Sequence, residues 1–233
     1  KSKFLALLNK TKISISNDDT RHYLNGIYLH TTESQNRTYL TGVATDSHRL
    51  SSSSIEVENG KTFHSLILPK KTVFQLCNLL AETNEKVLIQ TSDSKIQFRI
   101  GKSKLISKVI DGKFPDYRKV VPTNNDKILT VGSSDFVQAI ERVITVSIDR
   151  KEGVKLVLSK DNIKFSVHST NSGEGNEIVK SNYTAEETIV SFNSKYLVDI
   201  VSEVEDKNLK ISLKDSISPV LIEDMSDKNS YYV

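Results

Sequence analysis

Cysteine is all but absent: Cys77 is the only one in 233 residues. An internal disulfide is therefore excluded, and the chain reads as one made for a reducing compartment. Long apolar runs are missing too. No stretch approaches the roughly 20 residues that a membrane helix needs. The opening "KSKFLALLNK" has too short an apolar centre, and no cleavage pattern, for a signal peptide. Its first residue is not Met and the last, Val233, stands in the apolar "SYYV", so the sequence reads as a fragment of a longer protein. Metal-ligand spacing is lacking among His22, His30, His48, His64 and His168. No G-x-S-x-G nucleophile turn occurs. Neither a metal nor a cofactor is expected. Three Asn-x-Ser/Thr triplets, at Asn9, Asn36 and Asn182, read as chance in so Asn- and Ser-rich a chain.

What is present is an ordinary globular balance, with 37% hydrophobic and 26% charged residues. The length suits one large domain or two of ordinary size. Net charge is only +3 but is unevenly spread. Residues 1–122 hold 19 Lys+Arg against 11 Asp+Glu, whereas residues 123–233 hold 13 against 18. The basic first half hints at a polyanionic partner.

The chain also repeats itself. "KFLALLNKTKISIS" (3–16) and "DFVQAIERVITVSI" (135–148) place apolar residues at helical spacing: Phe4, Leu7 and Leu8 against Phe136, Ile140, Val143 and Ile144. "LILPKKTVFQLCNLL" (66–80) and "IVSFNSKYLVDIVSEV" (189–204) each read as strand, break and amphipathic helix. Pro69 suits one helix start, and Asn193 or Ser194 the other. The buried stripes are Val73, Leu76, Cys77 and Leu80, and Leu197, Ile200, Val201 and Val204. "KVLIQTSDSKIQFRI" (86–100) and "NLKISLKDSISPVLI" (208–222) both read strand, Asp-Ser turn, strand, with alternation at Ile96 and Phe98 and at Ile211 and Leu213. Two tandem α+β units follow, each helix-strands-helix-strands with antiparallel sheets. The join falls near "FPDYRKVVPTNNDK" (114–127), which gives domains of 1–122 and 123–233.

Lys3, Lys10 and Lys12 are placed on the polar side of the first helix, Lys70 and Lys71 open the second, and Arg142, Arg150 and Lys151 mark the third. On a surface shared by the helices of both copies they form a diffuse basic track for phosphates. Nothing matches base readout: there is no recognition helix, zinc-finger spacing or stacked-aromatic signature. "ATDSHRL" (44–50) gathers Asp46, Ser47, His48 and Arg49. A local Ser-His-Asp triad fails, because sequence neighbours rarely converge in that geometry. General acid–base work by His48 and Asp46 stays open, against the plainer reading of a polar turn between strands.

In order and spacing, "DTRHYLNG" (19–26), "VATDSHRL" (43–50), "LILPKK" (66–71) and "LISKVIDGKFPDYRKVVP" (105–122) resemble the middle domain of bacterial sliding clamps, the beta subunits of DNA polymerase III. "RKEGVKLVLS" (150–159), "FNSKYLVDIV" (192–201) and "DSISPVLIED" (215–224) resemble their last domain. The resemblance covers essentially the whole chain. It implies the DNA-clamp fold, with the family's first domain and its short apolar C-terminal tail outside this sequence. It implies a non-catalytic processivity subunit in the bacterial cytoplasm. Two three-domain subunits close head to tail into a homodimeric ring around duplex DNA. Polymerase and clamp-loader subunits dock by a short linear motif in a pocket between the middle and last domains.

Carried over by position, the resemblance makes "ATDSHRL" the rim of that pocket. It assigns Leu24, Thr45, Ser47, His48, Arg49 and Leu50 from the first copy, Pro115, Lys119 and Val120 from the connector, and Pro219 and Val233 from the second copy. It assigns DNA contacts to Arg21, His22, Tyr23, Lys70 and Lys71. Three pocket positions depart from the family pattern. Ser47 stands where Gly is frequent, Lys119 where Arg is frequent, losing a planar fork, and Pro219 where a small polar residue is common, losing a donor. His22 stands where an aromatic is often found. The competing functions are a hydrolase using His48 and Asp46, and a two-domain adaptor with no DNA role.

Overall fold

A computed structural model describes residues 2–57, 64–147, 153–169 and 173–233. It divides into two compact units, Lys1–Asp116 and Tyr117–Val233. The division falls before the Pro122 boundary expected from sequence, so Lys119 and Val120 belong to the second unit and Pro115 to the first. Arg150 and Lys151 lie outside the described residues.

The first unit holds α1 (Ser2–Lys12), β1 (Gly26–Ser34), β2 (Arg37–Thr45), β3 (Leu50–Glu56), β4 (Leu66–Pro69), α2 (Lys70–Ala81), β5 (Val87–Thr91), β6 (Lys95–Ile100) and β7 (Ser103–Lys108). Its antiparallel strands run β4-β1-β2-β3 in one group and β5-β6-β7 in another. β1 and β2 meet through a two-residue turn, with Gln35 and Asn36 at φ 50 and 59°. That left-handed pair matches the twist of the flanking strands.

The helices cover the strands because their apolar residues recur at helical spacing. Val73, Leu76, Cys77 and Leu80 of α2 are all buried, as are Phe4, Leu7 and Leu8 of α1. Phe4 stacks on Phe98 of β6 with centroids 6.2 Å apart. Leu7 sits so close to Gly42 of β2 that a Cβ there would lie 2.6 Å from its Cδ2. Glycine is what admits α1 to the sheet at that point. One expectation fails in this helix. Lys10, assigned from sequence to the polar side, is buried at 4% exposure. Position 10 lies about 60° around the helix from Leu7, outside the apolar stripe, so the apolar pattern alone gives no sign of this burial.

The second unit repeats the plan. It holds β8 (Lys127–Gly132), α3 (Ser133–Val143), β9 (Gly153–Ser159), β10 (Asn162–Ser169), β11 (Gly173–Lys180), β12 (Thr188–Asn193), α4 (Ser194–Val201), β13 (Asn208–Leu213), β14 (Leu221–Asp224) and β15 (Ser230–Tyr232). Strands run β12-β9-β10-β11 and β8-β13-β14-β15. In both units the first strand after the first helix lies between its successor and the strand that leads into the second helix. Asn193 caps α4, its Oδ1 accepting from Lys195 N at 3.0 Å. α4 ends at Val201, so Val204, read from sequence as helical, lies beyond it and is only half-buried. Phe136 of α3 meets Phe165 of β10 edge to face, with centroids 5.3 Å apart and planes at 76°. A Cβ on Gly175 of β11 would lie 2.7 Å from the Val143 carbonyl oxygen, so a glycine again admits the helix.

Arg142 is not free in this unit to serve a phosphate track. Its guanidinium grips Glu177 of β11 in a fork, Nε to Oε2 at 2.7 Å and Nη2 to Oε1 at 2.5 Å. That hydrogen bonding, ahead of the charge attraction, holds the Glu177 carboxyl below its ordinary 4.5. A depressed carboxylate stabilises the fold above its unfolded value, and the contribution is lost as pH falls through the folded value. Parent and Glu177→Gln should therefore differ in urea midpoint at neutral pH and converge on acidification below 4.5. Midpoints measured across that range check it.

Candidate functional site

The turn that carries "ATDSHRL" joins β2 to β3, with Thr45 opposite Leu50. Asp46 organises it. Its Oδ1 accepts from the backbone N–H groups of His48 and Arg49, each at 3.0 Å, and its Oδ2 accepts from Arg49 Nε at 3.1 Å. Thr45 Oγ1 donates to the Arg49 carbonyl at 2.7 Å and accepts from Ser47 N at 3.1 Å. Asp46 is thus spent on the turn's own backbone and on a guanidinium, whereas His48 is exposed. None of the hydrogen bonds described joins Asp46 to the His48 ring.

Ser47 tops the turn at φ 77°. That is the left-handed region where glycine is at ease and other residues are uncommon. Its hydroxyl accepts from Arg21 Nη1 at 2.5 Å, and Arg21 Nε also donates to Asp18 Oδ2 at 2.9 Å. The serine that departs from the family pattern is therefore tied to a residue assigned to DNA. Ser47→Gly should shift stability by less than about 1 kcal/mol, since relief of backbone strain offsets the lost bond. Ser47→Val should cost about 1–3 kcal/mol, because a β-branched residue resists that φ. Urea denaturation of both variants separates strain from bonding.

Arg21, His22 and Tyr23 share a 3-10 turn, Asp19–Leu24. Asp18 caps it, accepting from Thr20 N at 2.9 Å and Thr20 Oγ1 at 2.6 Å. These bonds, then the bond from Arg21, hold the Asp18 carboxyl below its ordinary 3.8. His22 is exposed, with Nε2 3.2 Å from the Asp111 carbonyl oxygen. Its ring meets Tyr23 edge on at 5.9 Å. Lys70 and Lys71 open α2. Lys70 N donates to the Asn25 carbonyl at 3.0 Å and its ammonium bonds the Asn17 side chain, while Lys71 is exposed. Both groups of proposed DNA residues are thereby tied to the same segment, residues 17–25.

The residues assigned to a peptide pocket divide by burial. Leu24 and Leu50 are 2% and 3% exposed, so both side chains are buried. Neither belongs to the unit's main apolar cluster. Pro115 is exposed, next to Phe114, whose ring stacks on Tyr28 at 4.9 Å and 4°. In the second unit, Lys119 and Val120 lie in a 3-10 turn, Tyr117–Val120, and Val120 is 53% exposed. Pro219 is exposed and its carbonyl accepts from Asn125 Nδ2 at 3.0 Å. Before it, the Asp215 carboxylate accepts from Ile217 N at 3.0 Å and Ser218 N at 2.7 Å. Those bonds hold it below its ordinary 3.8. Val233 follows β15 and is half-buried.

The family model of the DNA polymerase III beta subunit, central domain, matches residues 1–116, and that of its C-terminal domain matches residues 118–233. The chain belongs to the DNA polymerase III beta subunit family. Within this family it is 36% identical over 233 residues to a beta sliding clamp of Caulobacter vibrioides, covering all of this chain and 63% of that one. It is 34% identical over 227 residues to the beta sliding clamp of Escherichia coli, covering 97% and 61%. The chain thus spans less than two thirds of the length of these beta subunits.

Solved structures agree. A C. crescentus beta sliding clamp, with PEG bound to its proposed beta-motif tethering region, superposes with TM-score 0.96 at 35% identity, over 99% of this chain and 62% of that one. A Bartonella birtlesii sliding clamp bound to griselimycin superposes with TM-score 0.94 at 37% identity, over 99% and 63%. The α+β clamp fold with antiparallel sheets expected from sequence is therefore the fold of this beta subunit chain.

Two features escaped the sequence reading. The Arg21–Ser47 bond joins positions 26 apart, which no local pattern links. Phe74 is 44% exposed on α2, beside two lysines. Its signal was available: it stands one residue out of phase with the Val73, Leu76, Cys77 and Leu80 stripe.

Proposed function

We propose that this chain is part of a sliding clamp that holds duplex DNA without reading its sequence and tethers a DNA polymerase to it. The observation that carries the reading is the match of both halves, in order, to the two beta subunit domain models. Arg21, His22, Tyr23, Lys70 and Lys71 serve phosphates. Arg21 and the two lysines supply charge without a base-reading helix. The turn at Thr45, Ser47, His48, Arg49 and Leu50, with Leu24 and Pro115, receives a partner's short Leu/Phe-containing motif, and the proposal takes in Lys119, Val120, Pro219 and Val233 of the second unit. Burying one such partner side chain contributes about 1.5–3 kcal/mol. The full-length protein closes as a homodimeric ring, is loaded by clamp-loader subunits and works in the bacterial cytoplasm. Catalysis is no part of the role.

Titration of two unrelated duplexes across a salt series tests the DNA claim. Equal affinities that fall steeply with salt support it. A clear preference for one sequence, or affinity independent of salt, supports the adaptor instead.

A further inference from the structure

We propose that the notch between the start of α2 and residues 16–25 holds one unstacked nucleotide of a single DNA strand. Its base lies on Phe74 and its phosphate on Lys70 and Lys71. The inference rests on the DNA-binding reading above and adds an aromatic platform that this reading lacks.

The notch has a volume of about 480 Å³ and is lined by Asn17, Asn25, Lys70, Lys71, Phe74 and Gln75, among others. Four properties fit it to a nucleotide. First, Phe74 is 44% exposed, on the side of α2 that also carries the exposed Lys71, Gln75 and Asn78. A large apolar ring kept at a cationic surface is what base stacking uses, and every base has a face to offer. Second, the ammonium groups of Lys12 and Lys70 each lie 6.0 Å from the Phe74 ring centroid. Lys12 also donates to Asn9 Oδ1 at 2.7 Å, which steadies it there. Phosphates on either side of a stacked base would meet cations already in position. Third, Asn25 Oδ1 is buried without a hydrogen-bond partner, although the Asn25 backbone carbonyl is used by Lys70 N. The Asn25 side chain lines the notch, and a small rotation that opened this oxygen to a base edge would give it the N–H donor it lacks. Fourth, the single carboxylate of the lining, Asp19, is exposed and outnumbered by the two lysines, so the notch stays cationic.

A duplex interior hides its base faces, and exposing one requires unstacking. The site should therefore favour a single strand, or the unpaired end of a template, over continuous duplex.

The test is fluorescence anisotropy of the full chain with labelled oligo-dT and, in parallel, a labelled blunt duplex. Phe74→Ala should lower oligo-dT affinity about 5- to 150-fold, the range that one stacked base supplies. Duplex affinity should change less than about twofold, and Phe74→Tyr should retain oligo-dT binding. Equal loss for both nucleic acids, or no loss for oligo-dT, overturns the proposal. So does an oligo-dT affinity for Phe74→Leu equal to the parent's. Loss of binding to a Leu/Phe-containing peptide, with oligo-dT unaffected, would make Phe74 a protein-docking residue and also overturn it. Lys70→Ala with Lys71→Ala reads the duplex claim separately. If that pair leaves duplex affinity intact while Phe74→Ala still reduces oligo-dT binding, the nucleotide site stands and the duplex reading falls.

Discussion

Phe136→Ala should destabilise the second unit by about 3–5 kcal/mol. The side chain is fully buried and meets Phe165, itself fully buried, at 5.3 Å and 76°. Truncation removes the transfer energy of a whole ring and leaves a cavity, because two turns along the same face α3 is held by the close approach of the Val143 backbone to Gly175. The helix cannot sink to fill the void without its backbone striking β11, so little relaxation is available. The lost edge-to-face contact adds to the cost. In urea denaturation followed by far-UV circular dichroism, the second unit should unfold well before the first, giving two steps or one broadened step. An unshifted transition would mean that Phe136 is not the packing centre described.

Joint replacement of Lys70 and Lys71 by alanine should have the largest effect on DNA. Each lysine that neutralises a phosphate steepens the dependence of log affinity on log salt by about 0.9, so losing both flattens it by about 2. Between roughly 50 and 200 mM salt, parent and variant should then differ about 16-fold in salt sensitivity. The loss should be uniform across sequences, since no base contact is removed. Stability should barely move. Lys71 is exposed, and the bond from Lys70 to Asn17 lies at the surface. A sequence-dependent loss, or an unchanged slope, would place the DNA elsewhere.

Much of the fold was legible because its signals are periodic and local. In β6, Ile96, Phe98 and Ile100 are buried between exposed or half-buried neighbours, and in β9 the buried set is Val154, Leu156 and Leu158. Alternation of this kind announces a strand with one face inward. The helix stripes at Phe4, Leu7 and Leu8 and at Phe136, Ile140 and Val143 announced the repeat. Element ends were less legible. Val204 continues the apolar phase of α4, but the helix closes at Ser202, whose backbone N–H bonds the Val198 and Ile200 carbonyls, and nothing in the apolar pattern marks that stop.

The candidate site was legible as residue types but not as connections. The sequence offers Arg142 as a cation for phosphate, and the fold gives it Glu177, which is 35 positions away. Asp46, Ser47, His48 and Arg49 look like chemistry in one dimension. In three, Asp46 holds the turn together and Ser47 receives Arg21. Long-range pairings of this kind depend on strand register, which only the folded chain supplies.

On the proposal above, a partner's linear motif docks at the 45–50 turn and no chemistry takes place there. Isothermal titration of a Leu/Phe-containing clamp-binding peptide into the parent chain, and into His48→Ala and Ser47→Val, tests it most directly. Saturable binding to the parent, weaker binding to both variants and a peptide recovered intact are the expected results. Undiminished affinity in both variants, or cleavage of the peptide that His48→Ala abolishes, would contradict it.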